Sequence, residues 1–84
     1  MNPSTENQML TFELTSDRDR VEIHGDREGL LLLAQTLTEL AAKSSPDHVH
    51  LMTVDWGGSG LTSVCQGLSN ELIHHAKLFL WPKK

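Results

Sequence analysis

The stretch Glu71-Leu72-Ile73-His74-His75-Ala76-Lys77-Leu78-Phe79-Leu80-Trp81 decides the fold, because it satisfies two periodicities at once. Leu72, Ile73, Ala76, Phe79 and Leu80 recur at helical spacing behind a Ser69 or Asn70 cap, and on periodicity alone this template fits slightly better. Leu72, Ala76, Leu78 and Leu80 also alternate, as in a strand. The strand reading is preferred, because a third strand upstream needs a neighbour and an isolated hairpin is marginal in water. Pro82, with no amide hydrogen to donate, would then end the pairing.

Upstream, Met9-Leu10-Thr11-Phe12-Glu13-Leu14 alternates with period two, sending Leu10, Phe12 and Leu14 to one face and Thr11 and Glu13 to the other. Ser16-Asp17-Arg18-Asp19 reads as a turn, and Arg20-Val21-Glu22-Ile23-His24 alternates again with Val21 and Ile23 inward. The two runs predict a β-hairpin. Gly25-Asp26 then supplies an N-cap for a helix in which Leu30, Leu33, Leu37 and Leu40 recur along one stripe that Leu31 and Leu32 widen. Gly29 costs the first turn up to ~1 kcal/mol relative to alanine, which a close approach to the sheet would justify. Lys43 suits the negative end of the helix, and Ser44-Ser45-Pro46 stops it.

Asp47-His48-Val49-His50-Leu51-Met52-Thr53 is the third alternating run, with Val49 and Leu51 on one face and both histidines and Met52 on the other. The sixteen residues 55–70 that follow exceed an ordinary connection and predict a functional or partly disordered loop.

These elements compose an α+β fold: a two-layer β-β-α-β-β arrangement, a small mostly antiparallel sheet with one helix packed on one face and the other face open. Residues 1–8 read as a flexible N-terminal tail and 9–82 as a single domain, since 84 residues bury only about 60% of the unfolded surface and cannot support two cores. The helix-covered face takes Leu10, Phe12, Leu14, Val21, Ile23, Val49, Leu51, Ala76, Leu78 and Leu80. Glu22, His24, His48, His50, Met52, Ile73, His75, Lys77, Phe79 and Trp81 fall on the opposite face.

The formal net charge is −4, unevenly spread: residues 1–47 hold nine acids against four bases, and residues 48–84 hold two against three. This disfavours nucleic acid and suits a basic partner, with Glu13, Asp17, Asp19 and Glu22 steering the encounter. Cys65 is the single cysteine, so no internal disulfide forms, which agrees with a reducing cytosol. The polar start lacks the basic and apolar regions of a signal peptide, and the longest apolar run, residues 30–34, is far short of the ~20 residues that span a bilayer. A soluble cytoplasmic protein with no membrane partner is expected.

Four of the five histidines lie in the second half, as His48-Val49-His50 and His74-His75, around Asp55-Trp56-Gly57-Gly58-Ser59-Gly60. His-x-His on a strand points two imidazoles the same way about 7 Å apart, and His24 or His75 would complete a zinc set with His48 and His50. His74, facing the other way, is expected inward as a hydrogen-bonded core histidine. Catalytic patterns are weaker: Gly57-Gly58-Ser59-Gly60-Leu61 has leucine where a nucleophile elbow needs glycine, and no phosphate-binding loop is present. Cys65 is a conceivable thiol nucleophile, although most lone cysteines pack. Trp56 either plugs the core edge, the preferred reading, or stands exposed as an anchor, and Trp81 poses the same choice. Exposed Trp81, Phe79 and Met52 would form an apolar patch that asks for a partner.

His48-Val49-His50-Leu51-Met52-Thr53, Asp55-Trp56-Gly57-Gly58, Asn70-Glu71-Leu72-Ile73-His74-His75 and Trp81-Pro82 together resemble small bacterial immunity proteins of polymorphic toxin systems, and among them the immunity family numbered thirty-two. The resemblance covers about residues 20–82. It implies a protein encoded beside a toxin that binds this cognate toxin so that the producing cell survives, and it carries over no catalytic residue; no cofactor is expected. Partner contacts are expected from His48, His50, Trp56, His75, Phe79, Trp81 and Glu22. The alternatives are a small zinc domain using His24, His48, His50 and His75, and a homodimeric structural module built through the open face or a strand edge.

Overall fold

Alternation in the first half of the chain forms the expected hairpin: β1 (Leu10–Leu14) pairs antiparallel with β2 (Val21–Gly25), Phe12 opposite Ile23 and Glu13 opposite Glu22. The computed structural model describes residues 8–83, so the tail assigned to residues 1–8 lies outside it except for Gln8. Helix α1 (Arg27–Ala41) follows, capped by Asp26, whose carboxylate accepts the Gly29 amide at 2.7 Å and the Met9 amide at 3.1 Å. One aspartate thus starts the helix and ties it to the entry of β1. A side chain at Gly29 would collide with the Met9 carbonyl, so the glycine marks the close approach that its position in the first turn implied.

The segment that decides the fold is extended. It forms two strands, β4 (Glu71–Ile73) and β5 (His75–Leu80), with His74 as the bend between them. β4 pairs with β1, giving a three-stranded sheet β2-β1-β4, and β5 pairs with β3 (Asp47–Met52), giving a two-stranded sheet β3-β5; all these pairings are antiparallel. The third strand obtains its neighbour, but in a second sheet that the last segment reaches by turning a corner at His74.

The bend changes which residues face inward. Ile73 lies opposite Phe12 and packs on the core, together with Ala76 and Leu78, whereas strict alternation had put Ile73 outside. An extra residue at a bend shifts the parity of what precedes it, as a bulge does. Leu10, Phe12, Leu51 and Leu61 form the core, with Leu33 of α1 against them.

Three expectations about burial are corrected. Val21 and Ile23 are about half exposed, because α1 meets β2 at Gly25, where Leu30 lies against the glycine, and leaves the rest of this edge strand uncovered. Leu30 and Leu37 of the helical stripe are likewise exposed, while Leu40 is buried. The face opposite the helix is closed along β1: Thr11 and Glu13 are both 0% exposed, beneath the loop that returns from β3.

That loop is built rather than loose. A 3-10 turn (Val54–Trp56) ends at Gly57, whose φ of 86° lies in the left-handed region open to glycine. The chain then doubles back so that Leu61 bridges to Thr53, and the Leu61 side chain is 1% exposed. Thr62 donates its amide to the Leu10 carbonyl at 2.8 Å and joins the loop to β1.

Candidate functional site

Pairing between β3 and β5 puts His48 opposite Phe79, His50 opposite Lys77 and Met52 opposite His75, on the side away from the core residues Leu51, Ala76 and Leu78. The result is a continuous outer face of rings. His48 meets His50 edge-on at 4.9 Å between centroids and lies 5.4 Å from Phe79. His50 and His75 meet edge to edge, with centroids 5.0 Å apart and planes 27° apart, and Nδ1 of His50 is 2.8 Å from Nε2 of His75. At that distance one nitrogen donates and the other accepts, so the pair shares a single proton along this line. Phe79 stacks on Trp81 at 6.0 Å, with the Lys77 ammonium 5.2 Å from the Phe79 ring. Phe79 is 50% exposed and Trp81 73%.

Desolvation lowers the His50 pKa below the ordinary imidazole range, and the positive charges of His48, His75 and Lys77 push it the same way. Every charged group acting on this ring is thus a cation or becomes one.

Trp56 stands apart from this face. The 3-10 turn holds it outside, where its ring lies flat on His74 at 5.1 Å with 56% of the residue exposed, so it does not plug the core edge. His74, half-buried, bonds to the Thr53 hydroxyl at 2.8 Å and so joins the corner of the last segment to the end of β3.

Glu22 and His24 lie in the other sheet. His24 is therefore separated from His48, His50 and His75, and the four do not assemble as one set. The cause is the sheet switch at His74, which leaves β2 and β3 in different sheets. His24 instead bonds to Glu22 at 2.9 Å and lies 3.6 Å from Glu13.

Among the described residues, Glu13, Glu22 and His24 bring their ligand atoms within 4.8 Å of one another. The Glu13 carboxylate, however, is already saturated. One oxygen accepts Thr11 Oγ1 at 2.6 Å and the Gln66 amide at 2.8 Å, and the other accepts the Gly67 amide at 3.0 Å and Asn70 Nδ2 at 2.9 Å. Four bonds use the four lone-pair positions of a carboxylate, so this cluster pins the loop rather than offering ligands. Burial alone would raise the Glu13 pKa; the bonds from Thr11, Asn70, Gln66 and Gly67 outweigh it and hold the carboxyl at about 2. Sequence alternation made Glu13 a surface acid. Three of its four donors lie more than fifty positions away, and nothing in the local pattern announces them.

Burial also pushes the Cys65 thiol up, as does the neighbouring Glu13 charge, and its sulfur faces the Asn70 carbonyl at 3.5 Å. A thiol held protonated in this way is a poor nucleophile. A groove of about 590 Å³ between α1 and the glycine turn is lined by Leu32, Thr36, His50, Met52 and Ser59 among others, and His50 is its one titratable group. Among the described residues no helix is long and apolar enough to cross a membrane.

Fold and site define a small α+β protein with a ring-lined face on one sheet and a pinned loop closing over the other. Its sequence places it more narrowly. The chain belongs to the Immunity protein 32 family, whose model matches residues 20–76, from the start of β2 into β5. The match takes in His48, His50, Trp56 and His75 and ends before Lys77, Phe79 and Trp81. Neither the curated proteins nor the solved structures compared with it produced a match.

Proposed function

We propose that this chain protects a bacterial cell by binding a cognate toxin in the cytoplasm and covering its working surface, acting by occlusion and without catalysis. Membership of the Immunity protein 32 family carries this reading. The outer face of β3 and β5 supplies the contacts, with His48, His50, His75, Phe79 and Trp81 as its members and Trp56 as a separate anchor on the loop. Exposed aromatic residues in an otherwise polar surface are the groups that dominate binding energy when a partner desolvates them. Glu22, in the other sheet, holds the loop through its bonds to His24 and Asn70.

The test is co-expression with the toxin domain encoded beside the gene. The expected result is rescue of growth and co-purification of the two proteins as one complex. A toxin that kills equally well with and without this chain would overturn the proposal.

A further inference from the structure

The molecule is acidic overall, with a formal net charge of −4, yet the outer face of β3 and β5 carries the opposite character. His48, His50, His75 and Lys77 lie there in register, flanked by Phe79 and Trp81. Asp47, the acid on these strands, belongs to the alternate row, where its carboxylate accepts the His48 amide at 2.8 Å and pairs with Lys43 at the end of α1 at 3.5 Å. The acids expected to steer a basic partner lie on the other sheet and its turn. Glu13 is fully buried, Glu22 is bonded to His24 and Asn70, and Asp17 and Asp19 sit in a turn interleaved with Arg18 and Arg20.

We infer that this face recognises a carboxylate-bearing surface of its protein partner, an inference that rests on the immunity reading. The His50 and His75 rings share one proton and sit beside Lys77, so an approaching carboxylate meets two imidazoles and an ammonium within one patch. A proton added to the outward nitrogen of this pair leaves the internal bond in place and turns that nitrogen into a charged donor for the carboxylate. The carboxylate supplies the compensating charge, and the Phe79–Trp81 stack beside it excludes water and strengthens the charge-assisted bonds. The cations that crowd His50 in the free protein are the reason the site gains from an anion.

The sign of the pH dependence follows. A histidine that gains a carboxylate partner has a higher pKa in the complex than in the free protein, so binding takes up protons. Affinity is then greatest at low pH and falls as pH rises through the pKa of the complex. A partner offering lysines or arginines reverses the sign.

The experiment is calorimetry of the full chain with the purified toxin domain from the adjacent gene at pH 8 and pH 6, with chelator present to exclude metal bridging. Tightening of about tenfold toward pH 6 is expected, with a smaller change in His50→Gln/His75→Gln and a loss of at least about fivefold in Lys77→Gln at either pH. Circular dichroism of the variants confirms that they fold. Weaker binding at pH 6, or the same pH slope in the wild type and the double glutamine variant, overturns the inference and leaves the immunity reading standing. Absence of any complex at both pH values overturns both. Light scattering that shows the chain pairing with a second copy through this face, relieved by Lys77→Glu, also overturns it.

Discussion

Glu13 shows how far one side chain can depend on residues remote in sequence. Strand alternation points it away from the apolar face of β1, where it ought to meet water, and the loop instead closes over it and supplies three of its four hydrogen-bond donors. An ionised carboxylate without water is tolerated only when its oxygens are satisfied, which makes this residue a condition for the loop's shape. Its pKa falls from 4.5 to about 2, so the stability it contributes is fully present above about pH 4.5 and is lost as pH falls toward 2. Glu13→Gln is expected to lower unfolding free energy at pH 7 by on the order of 3 kcal/mol. Denaturant titrations at pH 7 and pH 2.5 check it: the gap between wild type and variant should narrow to about 1 kcal/mol at the acid pH, and a gap of constant size would contradict the assignment. Leu61 carries the same lesson in apolar form, since it is a core residue that sits in a glycine-rich loop without periodic neighbours to reveal it. Gly29 and Asp26 were legible for the opposite reason. Capping and close approach are local demands, set by residues within one turn.

At the scale of the element, the bend at His74 explains why the last segment fitted two templates. Ile73 and Ala76 both face the core although they are three positions apart, a spacing that imitates a helix; beyond the bend, Ala76, Leu78 and Leu80 alternate as a strand. Each periodicity therefore captured part of the truth, and strand pairing selected between them. The backbone of the bend matters more than its side chain. Deleting His74 shortens the link between the two sheets and forces β4 or β5 to slip by one residue, which turns that strand's buried row outward. This variant is expected to be unfolded or aggregated by circular dichroism and size-exclusion chromatography. His74→Ala keeps the corner and loses the bond to Thr53 and the Trp56 stack, at an expected cost of about 1–2 kcal/mol in denaturant melts. A deletion variant that folds as well as His74→Ala would show that the register is not set there.

For the whole molecule, the described residues form a slab of 42 × 41 × 22 Å, whose broad surfaces lie over two thin layers. A small slab cannot cover all its apolar side chains, and Phe79 and Trp81 on its ring-lined face contribute little to folding because each remains half exposed or more. Phe79→Ala/Trp81→Ala is accordingly expected to change unfolding free energy by less than about 1 kcal/mol while weakening the toxin complex at least about thirtyfold, measured by thermal melts and by titration. Equal losses in both measurements would make these rings structural. Several features followed from the sequence alone: the order of strands and helix, the Asp26 cap, and the row that places His48 and His50 outward. Each is written in residues a few positions apart, and steric and hydrogen-bonding preferences act at that range. Tertiary structure alone decided that Glu13 is buried, that Leu61 is core, that Trp56 is exposed on His74, and that His24 is separated from the other outward histidines. Burial and proximity depend on which distant segment covers a surface, and that choice was made by the corner at His74 and by the loop that Glu13 holds down.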